Sequence, residues 1–173
     1  FITNRTGTIE YVNAKFTETT GYTSEDAVGK MPDFLKGGVV ADSVYKTIHE
    51  ATKNGKDWHG ELCSRKKNGE LFWELVSISP MFSSNGEITN YITVSEDISR
   101  QKEAEELLRK SEERISFALT GADLGTWDHY LLEDKQVWNR EQALHHGYDP
   151  DKVIGTFDEW VNAIHPDDVS ILL

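Results

Sequence analysis

The sequence predicts an α+β domain, an antiparallel sheet covered on one face by short helices, then a connecting helix and the opening of a second such domain. Three observations carry this reading. The stretch Trp58–Pro80, WHGELCSRKKNGELFWELVSISP, reads as two alternating strands meeting at Asn68-Gly69. Both turn residues tolerate positive φ, and a primed turn matches strand twist, so Asn-Gly predicts a hairpin. The stretch Ser99–Leu119 holds no Gly or Pro and is rich in strong helix formers. Finally, NREQALHHGYDPDKVIG after Trp138 repeats the frame of NAKFTETTGYTSEDAVG at Asn13–Gly29.

In chain order, Phe1–Asn4 and Thr8–Val12 flank Arg5-Thr6-Gly7 as a short hairpin. Asn13 is a capping residue for Ala14–Thr20, which stops at Gly21-Tyr22. Thr23-Ser24 ahead of Glu25 and Asp26 start one helical turn ending at Gly29. Pro32 opens another turn that carries Phe34 and Leu35 inward. Asp42 is placed to cap a longer helix, Ser43–Lys53, with Val44, Ile48 and Ala51 at helical spacing. After the central hairpin, Ser83-Ser84-Asn85-Gly86 turns the chain into a third strand, Ile88–Glu96. Two strands, small helices, one longer helix and three strands make an α+β domain with its sheet covered on one face.

Within the connecting helix, Ala104, Leu108, Ser111 and Ile115 step by helical-seam spacing, with the polar Ser111 interrupting. A charged linker and a dimer-forming signal helix both fit. The repeat then begins, pairing Asn139 with Asn13, Gly147-Tyr148 with Gly21-Tyr22, Val153 with Val28 and Gly155 with Gly29. A start-to-start period of roughly 126 residues means two copies of one domain rather than a solenoid. The division expected is 1–98, 99–119 and 120–173, the last a half-domain with Trp127, Trp138 and Trp160 in its core. Phe1 falls in what reads as mid-strand and the second copy lacks its main strands, so the sequence is read as a piece of a longer protein.

Composition limits the function. With 173 residues, 38% hydrophobic and 28% charged, the chain has the apolar material for one comfortable domain or two small ones. No apolar run approaches the roughly 20 residues of a membrane helix. A net charge of −12 argues against a nucleic-acid surface, which needs clustered Lys and Arg. The single cysteine, Cys63, excludes an internal disulfide and fits a reducing, cytoplasmic setting. Neither a nucleophile–base pair nor a phosphate loop is present, and adjacent His145-His146 do not share a helix face. The fragment therefore reads as non-enzymatic.

Several segments together resemble a PAS domain followed by a second one: GTIEYVNAKF, TGYTSEDAVGK, GKDWHGEL, KKNGELFWELVSISP and EDIS in the first, and ADLGTWD, HGYDP, FDEW and IHPDD in the second. The resemblance implies a five-stranded antiparallel sheet with a helix-walled pocket. It also implies a sensory module, usually N-terminal to a histidine kinase or a cyclic-dinucleotide enzyme. Asp97 matches the family's exit aspartate, able to cap the outgoing helix.

The resemblance also frames what the pocket could hold. Met31–Gly37 is similar to the flavin-adduct segment of light-sensing (LOV) domains in its Phe-Leu-x-Gly tail, but their reactive cysteine falls on Pro32. Cys63 lies out of phase with the inward Leu62 and Ser64, so it is no substitute. A haem ligand would fall on Val44, not on His49, and haem is set aside. The first domain is more similar to the redox-sensing PAS domains of NifL and MmoS, which hold flavin non-covalently. That resemblance implies FAD in a slot formed by Phe34, Leu35, Ile48, Trp58, Leu62 and Val76, with polar contacts from His49, Ser64, Glu74 and Ser95. A buried Glu74 would favour its neutral form, which donates a hydrogen bond as flavin carbonyls require. A cofactor-free dimerisation module and a small-metabolite sensor are the alternatives. A homodimer through the linker helix or a PAS surface is the expected assembly.

Overall fold

The computed structural model describes residues 1–151 and 156–172. Contacts divide the chain into two units, Phe1–Glu106 and Leu107–Leu173, with the boundary inside the connecting helix. In the first unit five strands, β1 (Ile2–Asn4), β2 (Ile9–Tyr11), β3 (Trp58–Arg65), β4 (Leu71–Phe82) and β5 (Ile88–Asp97), form one antiparallel sheet in the order β2-β1-β5-β4-β3. The N-terminal hairpin thus forms one edge of the sheet, with β1 beside the last strand, which is central. Helices α1 (Ala14–Thr20), α2 (Ser24–Ala27) and α3 (Asp42–Lys53), with a 3₁₀ turn at Pro32–Leu35, lie between β2 and β3 in sequence.

Local chemistry explains the helix boundaries. The Asn13 side chain accepts from the Phe16 amide, and Gly21 closes α1 at φ 76°. Thr23 and Asp26 form a reciprocal capping box on α2. Helix α3 departs from the expectation: Asp42 is its first residue, and Ala41 at the N-cap offers no side-chain bond. Asp42 still places an acid in the first turn, where the helix dipole favours it.

The three hairpins of the first unit share one turn. In each, a residue's amide bonds the carbonyl four residues on and its carbonyl receives the amide of a glycine three residues on: Asn4 to Gly7, Lys66 to Gly69 and Ser83 to Gly86. Only the glycine takes positive φ, 88°, 90° and 81° respectively. The central turn is therefore not the two-residue Asn-Gly turn expected. Arg65 pairs with Leu71, and the intervening residues form a type I turn closed by a left-handed glycine. Strand β4 also continues past Ile78 to Phe82, because β5 offers partners along its whole length.

Two apolar clusters hold this unit. Ile9, Val12, Phe16, Ala27 and Leu35 pack under the small helices. Trp58, Leu62 and Val76 form the second, against Val44, Ile48 and Ala51 of α3. The expected stripe of α3 thus faces the sheet, half-buried.

Helix α4 (Ser99–Gly121) leaves from the end of β5. Asp97 Oδ1 accepts from the Ser99 amide at 2.9 Å, and the Trp73 amide donates to Ser99 Oγ at 3.0 Å. Lys102 pairs with Glu61 at 2.7 Å, so the helix start is fastened across β3 and β4. The helix buries no residue, and Leu107, Leu108 and Ile115 are exposed.

The second unit contains a hairpin, β6 (Trp127–Tyr130) with β7 (Lys135–Trp138), and helices α5 (Arg140–His145), α6 (Phe157–Ala163) and α7 (Pro166–Leu172). Asn139 caps α5 by accepting from the Gln142 amide, and Gly147 takes φ 74°, as Asn13 and Gly21 do in the first. The paired positions Val153 and Gly155 lie outside the described residues. Trp127 is 55% exposed, with its ring 6.3 Å from that of Trp160, so it is not the buried core residue expected.

Candidate functional site

On the helix-covered side of the sheet, alternation turns Leu62 and Ser64 of β3, Glu74, Val76 and Ile78 of β4, Tyr91 and Thr93 of β5, and Thr3 of β1 inward. With Leu35 from the 3₁₀ turn and Tyr45 and Ile48 from α3, they enclose a cavity of about 510 Å³. That volume suits a small-molecule or cofactor ring, and its walls are apolar apart from a few convergent groups.

The buried polar centre is Ser64 and Glu74, which are 4% and 8% exposed. The Ser64 hydroxyl donates to Glu74 Oε1 at 2.5 Å. Burial pushes the Glu74 carboxyl above the ordinary glutamate range, against the opposing hydrogen bonds of Ser64 and Ser95. A neutral carboxyl there offers one donor and one acceptor side by side, the pattern an amide would present. Asp97, directly opposite Glu74 in the β4–β5 register, is also perturbed. Burial raises it, but hydrogen bonds with Ser99 and the charges of Lys66 and Arg100 outweigh that and leave it below the usual range.

Of the ten residues singled out from sequence, Leu35, Ile48, His49, Leu62, Ser64, Glu74 and Val76 line this cavity. His49 stands at its exposed rim rather than inside. Three do not line it. Phe34 packs edge-on against Tyr22 at 4.7 Å, within the first cluster. Trp58 lies over Gly60, whose added Cβ would sit 2.7 Å from the indole, and its Nε1 donates to Thr47 Oγ1 at 3.0 Å. Ser95 lines a separate cavity of about 200 Å³, which Glu74 also borders.

Pro32 lines the main cavity and Cys63 does not. Cys63 is 2% exposed on the opposite side of β3, its thiol pushed up by burial and its carbonyl accepting from the Gly37 amide at 3.0 Å. Sequence reasoning missed Thr3, Arg5, Tyr45, Lys53, Tyr91 and Thr93. The alternation of β5 could have marked Tyr91 and Thr93 along with Ser95. Arg5 and Lys53 read only as a turn charge and a helix-end charge. Among the described residues no group of three or more His, Cys, Asp or Glu is placed to hold a metal ion.

Sheet order, helical cover and inner cavity together define a ligand-pocket α+β domain of sensory type. The chain belongs to the PAS domain family, whose model matches residues 1–100. It is 24% identical to a blue-light-activated histidine kinase of Brucella canis (strain ATCC 23365 / NCTC 10854 / RM-666) over 157 residues, which is 84% of this chain and 32% of that protein. It is 32% identical to phototropin-1A of Oryza sativa subsp. japonica over 95 residues, 55% of this chain and 10% of that protein. The chain thus spans about a third or less of the curated relatives it matches. Among solved structures, the light state of the blue-light photoreceptor Aureochrome1 LOV superposes with a TM-score of 0.56 at 26% identity, covering 64% of this chain and 88% of that one.

Proposed function

We propose that this chain is the sensory region of a signalling protein, with a non-covalently bound flavin, FAD in particular, in the cavity of its first PAS domain. The reading rests on one observation: an apolar slot on the inner face of the sheet that ends in the buried Ser64–Glu74 pair. The residues present fit the group. Leu35, Ile48, Leu62, Val76 and Ile78 would flank a planar ring, and a neutral Glu74 would meet a donor–acceptor edge. A bound flavin supplies a redox-active ring whose charge and hydrogen bonding differ between oxidation states.

Two relatives are blue-light receptors by name. Pro32 at the cavity wall and Cys63 on the far side of β3 leave this chain without a thiol for a light-driven adduct. Redox state, not adduct formation, is then the input. Glu74 takes or gives a proton at its carboxyl and re-pairs with Ser64 and Ser95. The opposed Asp97 and the Trp73–Ser99 bonds carry the change to α4, which leads to a second PAS domain in residues 120–173. A difference in contact between two states is what any such switch requires. The parent protein is proposed as a cytoplasmic sensor histidine kinase, after the Brucella relative, working as a homodimer.

Protein purified with flavin should be yellow and bleach under dithionite, with no covalent flavin by mass spectrometry after blue illumination. Colourless protein after flavin supplementation and refolding would sink the reading. A cofactor-free interaction module is favoured by a different observation. Leu75, Ile92 and Val94 on the outer face of β4 and β5 are 45%, 38% and 60% exposed, an apolar surface suited to a partner. A concentration-independent monomer in sedimentation would remove that alternative. A small-metabolite sensor is tested by thermal-shift screening.

A further inference from the structure

The elements that border the main cavity are fastened in different ways. Tyr91 of β5 donates its hydroxyl to the Thr52 carbonyl at 2.9 Å and so ties α3 to the sheet. The β1–β2 turn and the 3₁₀ turn also border the cavity, and Met31 joins them. Pro32 restricts the residue before it, and Met31 is extended at φ −77° and ψ 149°. The backbone just ahead of it is pinned to β2. The Ile9 amide donates to the Lys30 carbonyl at 2.9 Å, and the Gly29 amide to the Ile9 carbonyl at 2.8 Å. From that fixed base the Met31 side chain reaches Gly7, where an added Cβ would lie 3.1 Å from the Met31 methyl. One unbranched, flexible thioether therefore covers the bare face of the turn glycine.

The chemistry of this contact differs from that of the rest of the cavity wall. The chain has three sulfur atoms, in Met31, Cys63 and Met81. Cys63 is buried on the far side of β3 with its thiol pushed up by burial, so little of the reactive thiolate forms. A thioether reacts through its lone pair and needs no deprotonation. Met31 and Met81 are 52% and 44% exposed, so a small oxidant reaches both. Of the three, Met31 alone borders the cavity.

We propose that Met31 is an oxidation site through which a hydroperoxide sets how firmly the cavity holds its ligand. The sulfur lone pair attacks one peroxide oxygen, the O–O bond breaks and a sulfur–oxygen bond forms. The other oxygen leaves as water or an alcohol, carrying the peroxide's proton. Sulfur loses two electrons and the peroxide gains them. The product is a polar sulfoxide at the place where the methyl packs, so the contact with Gly7 opens and the β1–β2 turn is released. Methionine sulfoxide reductases reverse the step. The site does not depend on what fills the cavity, but its first readout rests on the flavin reading.

The test treats the full chain, loaded with FAD, with hydrogen peroxide in wild type, Met31→Leu and Met81→Leu. Leucine keeps the apolar bulk at both exposed positions, and circular dichroism checks the fold of each variant. Peptide mass spectrometry should find one added oxygen on Met31 and on Met81. Oxidised wild type and oxidised Met81→Leu should release FAD at least about fivefold faster than their untreated forms, and oxidised Met31→Leu should not. Met31 left intact while Met81 reacts, or the same acceleration in Met31→Leu, would overturn the proposal and leave flavin binding standing. If no flavin binds, the flavin reading falls instead, and amide exchange in the ligand-free chain decides. Oxidation should then speed exchange of the Gly7 amide, bonded to the Asn4 carbonyl at 3.0 Å, in wild type and not in Met31→Leu. Exchange at Gly7 untouched by oxidation, or equally raised in both, refutes the site.

Discussion

Gly37, the last residue of the Phe-Leu-x-Gly tail, sits where a methyl group has no room. Its amide donates to the Cys63 carbonyl at 3.0 Å, and its carbonyl accepts from Arg65 Nη2 at 2.9 Å. A Cβ built there would lie 2.4 Å from Cys63 O, 3.0 Å from Cys63 C and 3.2 Å from Leu71 Cδ2. Two of those atoms are backbone in the middle of β3, which is held by β4 and cannot step aside. In Gly37→Ala the segment must lift from the strand instead, losing the Gly37–Cys63 bond, worth about 1 kcal/mol. Forcing the methyl into packed surroundings costs roughly 1–3 kcal/mol more. The expected loss is about 2–4 kcal/mol, or a fall in Tm of roughly 10–25 °C for a domain of this size. Urea and thermal unfolding of the full chain measure it. Gly38→Ala is the control: its φ is 77°, but an added Cβ meets nothing within 4 Å, so it should cost only about 1 kcal/mol. A Gly37→Ala loss no larger than that of Gly38→Ala would refute the reasoning.

Three further outcomes follow from the site. Because burial raises the Glu74 pKa, the folded chain holds that proton more tightly than the unfolded one. Its contribution is complete below the ordinary glutamate value and is lost as pH rises through the raised one. Glu74→Gln should therefore flatten the decline of Tm across that window, and an unchanged slope would show that Glu74 titrates normally. Trp58→Phe removes the bond to Thr47 and part of the ring over Gly60, for a loss of about 1–2 kcal/mol. Gly60→Ala, which destabilises wild type by crowding the indole, should do so less in the Trp58→Phe background, and strict additivity in that cycle would contradict the contact. In flavin-loaded protein, Pro32→Cys should confer light-driven, slowly reversible bleaching that wild type lacks, and absence of bleaching would mean that position 32 does not face the ring.

Much of the fold was legible because its signals are local. Asn13, Gly21 and the Thr23–Asp26 capping box act within four residues, so their spacing in sequence is their geometry. The strand phases of Leu62, Ser64, Glu74 and Val76 follow from alternation, which also placed Cys63 off the cavity. Readings failed where a choice depended on partners remote in sequence. Asn68-Gly69 admits two turn types, and the register of Arg65 with Leu71 selects the longer. Ser95 has the inward phase, but it borders the smaller cavity, which Phe16 and Thr20 of α1 also line. Arg5 and Lys53 lie 48 positions apart, and only the Tyr91–Thr52 tether reveals that they border one opening.

The frame of the domain and the contents of its cavity answer to different demands. Gly7, Gly21, Gly69 and Gly86 are held to glycine by positive φ, and Gly37 and Gly60 by close approach, whatever the domain binds. All of these except Gly86 lie in the segments on which the family resemblance was read. Ser64, Glu74 and Ser95 carry no such backbone constraint, so they are free to follow the ligand. In this chain they form a chain of hydrogen bonds centred on one buried carboxyl instead of three separate contacts. A neutral amide in place of Glu74 would keep the same donor and acceptor but could not change its charge. A titratable acid at the end of an apolar slot, opposite the aspartate that starts the outgoing helix, couples whatever the slot holds to proton occupancy. The titratable acid at this position is therefore what makes a charge-dependent signal physically available to this domain.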